Sequence, residues 1–215
     1  MVRRRKQARK EIELKYLLTE AIAKDRVLED KHLQEIQDPD SYETIHMRAI
    51  YFDTADNSLR GKEMAFRVRE ENDRRVATLK WGGSADGGLH VRGELNVPVD
   101  DDFAKAPRMD IFQGSEIYEE IARTVGDQKL LPVMEMEYTR RQMRVDTGRS
   151  ISVVSMDDGV IRTAKGEAPI AELEIELYSG DQEDMLLLGE ELAAKYNLLP
   201  CDTSKFQKGL ALLAK

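Results

Sequence analysis

Residues 11–18 read EIELKYLL. Glu11, Glu13 and Lys15 alternate with Ile12, Leu14 and Tyr16. On a strand, successive side chains point to opposite faces, so two carboxylates and an ammonium share one face and the apolar residues take the other. The pattern returns along the chain. Arg67 and Arg69 oppose Phe66 and Val68, and Lys80 opposes Leu79. Arg92, Glu94 and Asn96 oppose Val91, Leu95 and Val97, and Glu172, Glu174 and Glu176 oppose Leu173, Ile175 and Leu177. Around residue 140 either parity fits, Tyr138 with Arg140 or Thr139 with Arg141. One such face alone is ordinary, because antiparallel sheets often keep one face wet. The set is less ordinary, because the charges are sorted by sign: acids on the first and last strands, bases on 64–71 and 74–81. Strands closed into a barrel would turn these faces into a lumen and leave the apolar faces outside, under helices. Bases in a lumen bind a polyanion, and carboxylates beside them bind a hard divalent cation. Together these groups suit phosphoryl transfer, where positioning and charge neutralisation do most of the catalysis.

The elements that position these residues follow from periodicity and punctuation. Residues 19–37 read as a helix capped by Thr19, with 43–53 as the next strand. Asn72-Asp73 predicts a hairpin between strands 64–71 and 74–81. GGSADGG (82–88) reads as a mobile hairpin loop, followed by a strand over 89–99. Helical pieces are predicted within 101–110 and 114–126, the second ending at Gly126. Strands follow at 132–146 and 149–156, then a turn at Asp157-Asp158-Gly159 and a strand within 169–180. A helix over 181–196 is capped by Asp181, and a last one, 205–214, by Ser204. The economical arrangement is one α+β domain over 11–215, preceded by a solvated basic tail over 1–10.

The formal charge of -8 on 215 residues argues against general nucleic-acid binding, double-stranded nucleic acid included. A single cysteine, Cys201, allows no intrachain disulfide and fits a reducing compartment. No apolar run approaches the roughly 20 residues of a membrane helix, so a soluble, cytoplasmic protein is expected, with no membrane partner. His32, His46 and His90 lack metal-ligand spacing and read as ordinary surface or packing residues. Trp81 is expected on the barrel wall. The glycine-rich 82–88 segment lacks the lysine and following helix of a phosphate-binding P-loop.

Glu11 to Lys15 also carry the ExExK signature, and the chain resembles the CYTH superfamily, the triphosphate tunnel metalloenzymes. YFDT (51–54), FRVR (66–69), TLK (78–80), RGEL (92–95), DDG (157–159), ELEIEL (172–177) and SKFQKG (204–209) are similar to further landmarks of that family, in its order. The resemblance implies a closed antiparallel β-barrel of about eight strands, with helices outside and a tunnel that takes a triphosphate. It implies a metal-dependent triphosphatase using Mg2+ or Mn2+, with a homodimer as a common state. Glu11, Glu13, Glu94, Glu174 and Glu176 would hold metal, and Glu172 would lie at the rim. Lys15, Arg67, Arg69, Lys80, Arg92, Arg140, Lys205 and Lys208 would contact phosphate. Two departures stand out: Asn96 replaces an acid found in some relatives, and Tyr138 stands where some tripolyphosphatases place a lysine as general base. A phenol, titrating near pH ~10, is a poor base at neutral pH, so the catalytic set of Glu11, Glu13, Lys15 and Tyr138 leaves the base open. Adenylate cyclase chemistry in the same tunnel and a non-catalytic polyphosphate- or nucleotide-binding barrel are the alternatives.

Overall fold

The computed structural model describes residues 8–18 and 24–214. Eight long strands run in groups separated by helices: β1 (Arg9–Leu17), β2 (Glu43–Asp53), β3 (Met64–Glu71), β4 (Arg74–Asp86), β5 (Leu89–Val99), β6 (Leu131–Asp146), β7 (Ser150–Thr163) and β8 (Gly166–Gly180). A two-residue strand, β9 (Leu199–Pro200), attaches to β1. All pairings are antiparallel, in the order β5-β4-β3-β2-β6-β7-β8-β1, and β1 also pairs with β5, so the sheet closes into an eight-stranded barrel. The helices are α1 (Lys24–Leu28), α2 (Lys31–Ile36), α3 (Asp101–Lys105), α4 (Tyr118–Val125), α5 (Gln182–Tyr196) and α6 (Lys205–Leu213). No helix among the described residues is long and apolar enough to cross a membrane.

Two apolar clusters cover the outside of the barrel. Leu14, Tyr16, Val154, Met156, Leu173 and Ile175 meet Met185, Leu188 and Leu192 of α5. The helix lies close because residue 189 is glycine: a Cβ there would stand 2.4 Å from Leu14 Cδ1. Phe66, Val68, Leu79 and Leu95 meet Phe103 of α3, Phe112 of the short 3-10 turn Met109–Phe112, and Ile121 of α4. Each such large apolar side chain adds about 1.5–3 kcal/mol by leaving water. These contacts fix which parity of every strand faces out, and so which faces in.

A third cluster lies on the inner face. Tyr51 pairs across the sheet with Arg67, so Ile45, Met47, Ala49 and Tyr51 share the lumen side of β2, joined by Met134, Met136 and Tyr138 of β6. Phe206, Leu210 and Leu213 of α6 pack on this apolar floor, with Phe206 stacked on Tyr51 at 5.0 Å between ring centroids. The last helix therefore forms part of the lumen wall, in addition to the helices that cover the outside.

Several expected boundaries move. The helix expected over 19–37 is instead α1 and α2, split at Asp30, whose carboxylate caps α2 through the His32 and Leu33 amides. Thr19, the expected cap, lies outside the described residues. Strand β1 begins at Arg9, inside the stretch expected as a tail. Most of the expected 82–88 loop belongs to β4, which carries a register shift between Trp81 and Ser84 and turns at Gly87 and Gly88. The turn expected at 157–159 does not exist, because β7 runs straight through to Thr163. Gly159 serves packing: a Cβ on it would lie 2.2 Å from the Glu137 carbonyl oxygen. The Asn72-Asp73 hairpin forms as expected, with Asn72 left-handed at φ 52°.

Candidate active site

Strand β1 brings Arg9, Glu11, Glu13 and Lys15 onto the lumen, between β5 and β8. Across one seam Arg9 faces Glu94 and Glu11 faces Arg92; across the other Glu13 faces Glu176 and Lys15 faces Glu174. Acids and bases thus meet in ladders, directly opposite one another. They line a cavity of about 400 Å³, together with Arg67, Arg69, Lys80, Arg92, Glu94, Tyr138, Arg140, Glu174, Glu176 and Lys205. The volume lies in the range of small-molecule sites. The parity of β6 is settled: Tyr138 and Arg140 face in.

The charges are almost all engaged with one another. Arg92 donates to Glu11 at 2.7 Å and to Glu13 at 2.9 Å. Lys80 donates to Glu11 at 2.7 Å and lies 3.0 Å from Glu94. Lys15, 1% exposed, has Glu174 at 3.3 Å and Glu13 at 3.6 Å. Burial and Glu174 push the Glu13 carboxyl up, but Lys15, Lys80 and Arg92 outweigh them and hold it below its usual range. Burial likewise opposes ionisation of Glu174, which Lys205, Lys15 and Arg140 hold well below that range. Glu94 is also drawn down, against burial, by Lys80, a hydrogen bond with Glu11, Arg9 and Arg67.

Two residues of the lumen escaped the sequence reading. Asp157, wholly buried, takes both Arg140 nitrogens at 2.7 Å and Lys205 at 2.8 Å. It was hidden in an expected turn, and its inward parity on β7 was the missing signal. Arg9 bonds Glu94 and Glu176, each at 2.9 Å. Its alternation with Glu11 and Glu13 was available in the sequence. Glu172, expected at the rim, is instead fully buried, 2.8 Å from Lys205. Lys208 reaches Glu172 and does not line the cavity.

Arg67 and Arg69 differ from the other bases. Arg67 is buried, bonds the Tyr51 hydroxyl at 3.1 Å and has no carboxylate partner among the described residues. Arg69 pairs with Glu71. The Nε of each guanidinium is buried without an acceptor. Such donors carry an uncompensated desolvation cost, which an anion in the cavity would relieve.

A CYTH domain model matches residues 9–210. The chain belongs to the CYTH family. It is similar to an inorganic triphosphatase of Haemophilus influenzae, 28% identical over 174 residues, which are 81% of this chain and 48% of the relative. The chain thus spans about half the length of that curated relative. Among solved structures it resembles a Hippeastrum adenylyl cyclase candidate described as revealing a dominant triphosphatase activity, at TM-score 0.69 and 19% identity over 94% of this chain and 95% of that one. An adenylate cyclase candidate from Bacillus halodurans superposes at TM-score 0.60 and 19% identity, over 94% and 97% of the two chains. The Mimivirus capping enzyme triphosphatase does so at TM-score 0.51 and 12% identity, over 87% and 89%. At these identities the structural likenesses establish the CYTH barrel fold.

Proposed function

We propose that this CYTH barrel hydrolyses a triphosphate with the aid of a divalent cation, Mg2+ or Mn2+. The observation that carries the reading is the division of the cavity into an anion-ready wall and an acid-rich wall. Arg67 and Arg69 offer buried guanidinium donors without acceptors, facing a lumen whose other side bears Glu11, Glu13, Glu94 and Glu176.

The donor set fits a hard cation. Its ligands would be carboxylate oxygens, which a hard divalent cation prefers, although among the described residues no three His, Cys, Asp or Glu side chains stand together as a finished metal cage. Burial pushes the Glu176 carboxyl up, and Glu11 and Glu94 add to the effect against the pull of Arg9. A bound cation would relieve the mutual repulsion of these carboxylates. Glu11, Glu13, Glu94 and Glu176 would hold it, with Glu174 at the next inward-facing position of β8. When bound it would withdraw charge from phosphate oxygens and from a water molecule.

The chain's own residues do the rest. Lys15, Arg67, Arg69, Lys80, Arg92 and Arg140 bind phosphate oxygens and fix the chain in line for attack. Lys205 adds charge beneath Arg140. Asp157 orients Arg140 through its two-point contact. Water oxygen bonds to phosphorus, the anhydride P–O bond breaks with its electron pair on the departing phosphate, and a lumen carboxylate accepts the water's proton. The bases absorb the charge that grows on the leaving oxygen, a contribution of about 10²–10³ per well-placed donor. Tyr138 lies beside Arg140 and Lys205, both over its ring at 6.0 and 5.6 Å, and so helps to position them.

Phosphate release from tripolyphosphate, thiamine triphosphate and ATP, each with Mg2+ or Mn2+, tests the reading. Release is expected from at least one substrate and is expected to fall at least a hundredfold in an E11A/E13A variant. Cyclic AMP from ATP would make the protein a cyclase. No turnover of any substrate would leave a polyanion-binding barrel.

A further inference from the structure

We propose that Arg9 is a built-in counter-cation of the acid-rich wall, holding Glu94 and Glu176 until a divalent ion takes its place. The inference rests on the metal reading above and goes beyond it.

Arg9 stands two residues before Glu11, on the same face of β1, at the outer end of the lumen ladder. One guanidinium nitrogen bridges Glu94 and Glu176 at 2.9 Å each, and Nε adds a second bond to Glu94 at 3.2 Å. Two strands that do not pair with each other, β5 and β8, are therefore tied by one positive charge carried on the strand between them. Glu176 forms no other ion pair among the described residues. Glu94 has a second base, Lys80. Arg9 is thus the ion-pair partner of Glu176, with Lys80 acting on it from further away.

The remaining bases are poorly placed to leave. Lys15 is 1% exposed and Arg67 8%. The Arg9 side chain, by contrast, is 51% exposed. An ion pair with one half-exposed partner contributes little and is readily exchanged, because water can take over its solvation. A guanidinium also offers positive charge to a carboxylate pair, one unit by hydrogen bonds where a divalent ion offers two by coordination, and it cannot be shared with phosphate oxygens at the short distances that a metal allows. Release from Glu94 and Glu176 leaves Arg9 at the tunnel mouth, where a charged substrate enters.

The consequence is competition: the divalent ion must displace Arg9, so Arg9 lowers metal affinity in the absence of substrate. Binding of Mn2+ to the substrate-free protein, followed by electron paramagnetic resonance of the free ion, measures this directly. R9Q is expected to bind Mn2+ about tenfold more tightly than the unmodified chain. R9K keeps the charge but loses the two-carboxylate bridge and is expected to fall between them. Melting temperatures of all three proteins check that each is folded. Equal or weaker Mn2+ binding in both variants, with the unmodified chain binding normally, would overturn the role of Arg9 and leave the metal reading standing. Absence of Mn2+ binding in all three would overturn both.

Discussion

Asp157 offers the sharpest test of how this lumen is held together. It is fully buried and carries three strong contacts, two from Arg140 at 2.7 Å and one from Lys205 at 2.8 Å. Replacement with asparagine keeps the shape and removes the charge. Breaking a buried ion pair by removing one partner costs about 3–5 kcal/mol. Here the bases are not stranded. Arg140 keeps Glu174 at 2.6 Å, and Lys205 keeps Glu172 and Glu174 at 2.8 and 2.7 Å. The amide oxygen can also accept one of the lost bonds. The expected loss is therefore the lower part of that range and below it, about 2–3 kcal/mol. For a domain of this size each kcal/mol moves the midpoint by about 2–4 °C, so D157N should melt about 4–12 °C lower. Urea unfolding and thermal melting both read it. The variant lumen is one unit more positive, so tripolyphosphate without metal should raise its melting temperature more than it raises that of the unmodified chain. A loss below about 0.5 kcal/mol, or protection by polyanion that is no greater, would refute the account of Asp157 as the buried charge that balances Arg140 and Lys205.

R67A should lose activity by at least a hundredfold, whereas K208A, whose ammonium meets Glu172 off the cavity wall, should lose less than tenfold; steady-state phosphate release compares them. Stability should fall in acid. Glu13, Glu94 and Glu174 have folded pKa values below their unfolded ones, so their contribution is full above about pH 4.5 and is lost as pH drops through the depressed values. Glu176, shifted the other way, opposes them only by a single group, so urea midpoints should decline steadily from pH 5 toward pH 3. G159A forces a methyl group to within 2.2 Å of the Glu137 carbonyl and should cost about 1–3 kcal/mol or prevent folding, read as the denaturation midpoint.

Strands with clean alternation were legible to the residue. β2 and β3 occupy the stretches that their patterns predict, because one face of each is apolar and packed while the other is not. The sign-sorted charges did mark the lumen. What failed was punctuation. Asp157-Asp158-Gly159 has the composition of a turn, yet Gly159 is small because Tyr138 and the β6 backbone press on it, and the strand continues. Gly82 and Gly83 likewise suggest a loop but serve a register shift within β4. Asp30 interrupts a helical pattern because its side chain satisfies the first amides of a new helix better than it continues an old one. Asp157 was lost with the false turn. The pairing of nearly every acid with a base was not readable either, since it depends on which strands become neighbours, and β1 meets β5 and β8 only through closure.

That closure sets an order of events. β2 to β5 and β6 to β8 are joined by local hairpins, while β1 waits for partners about 80 and 160 positions further along the chain. Contacts of such separation form slowly, after the local ones. During synthesis the strand bearing Glu11, Glu13 and Lys15 leaves the ribosome before its partners β5 and β8 and must wait for them. The nascent chain therefore carries these charges in water, unpaired, until β8 arrives, and the step that completes the barrel also completes the charged lumen wall.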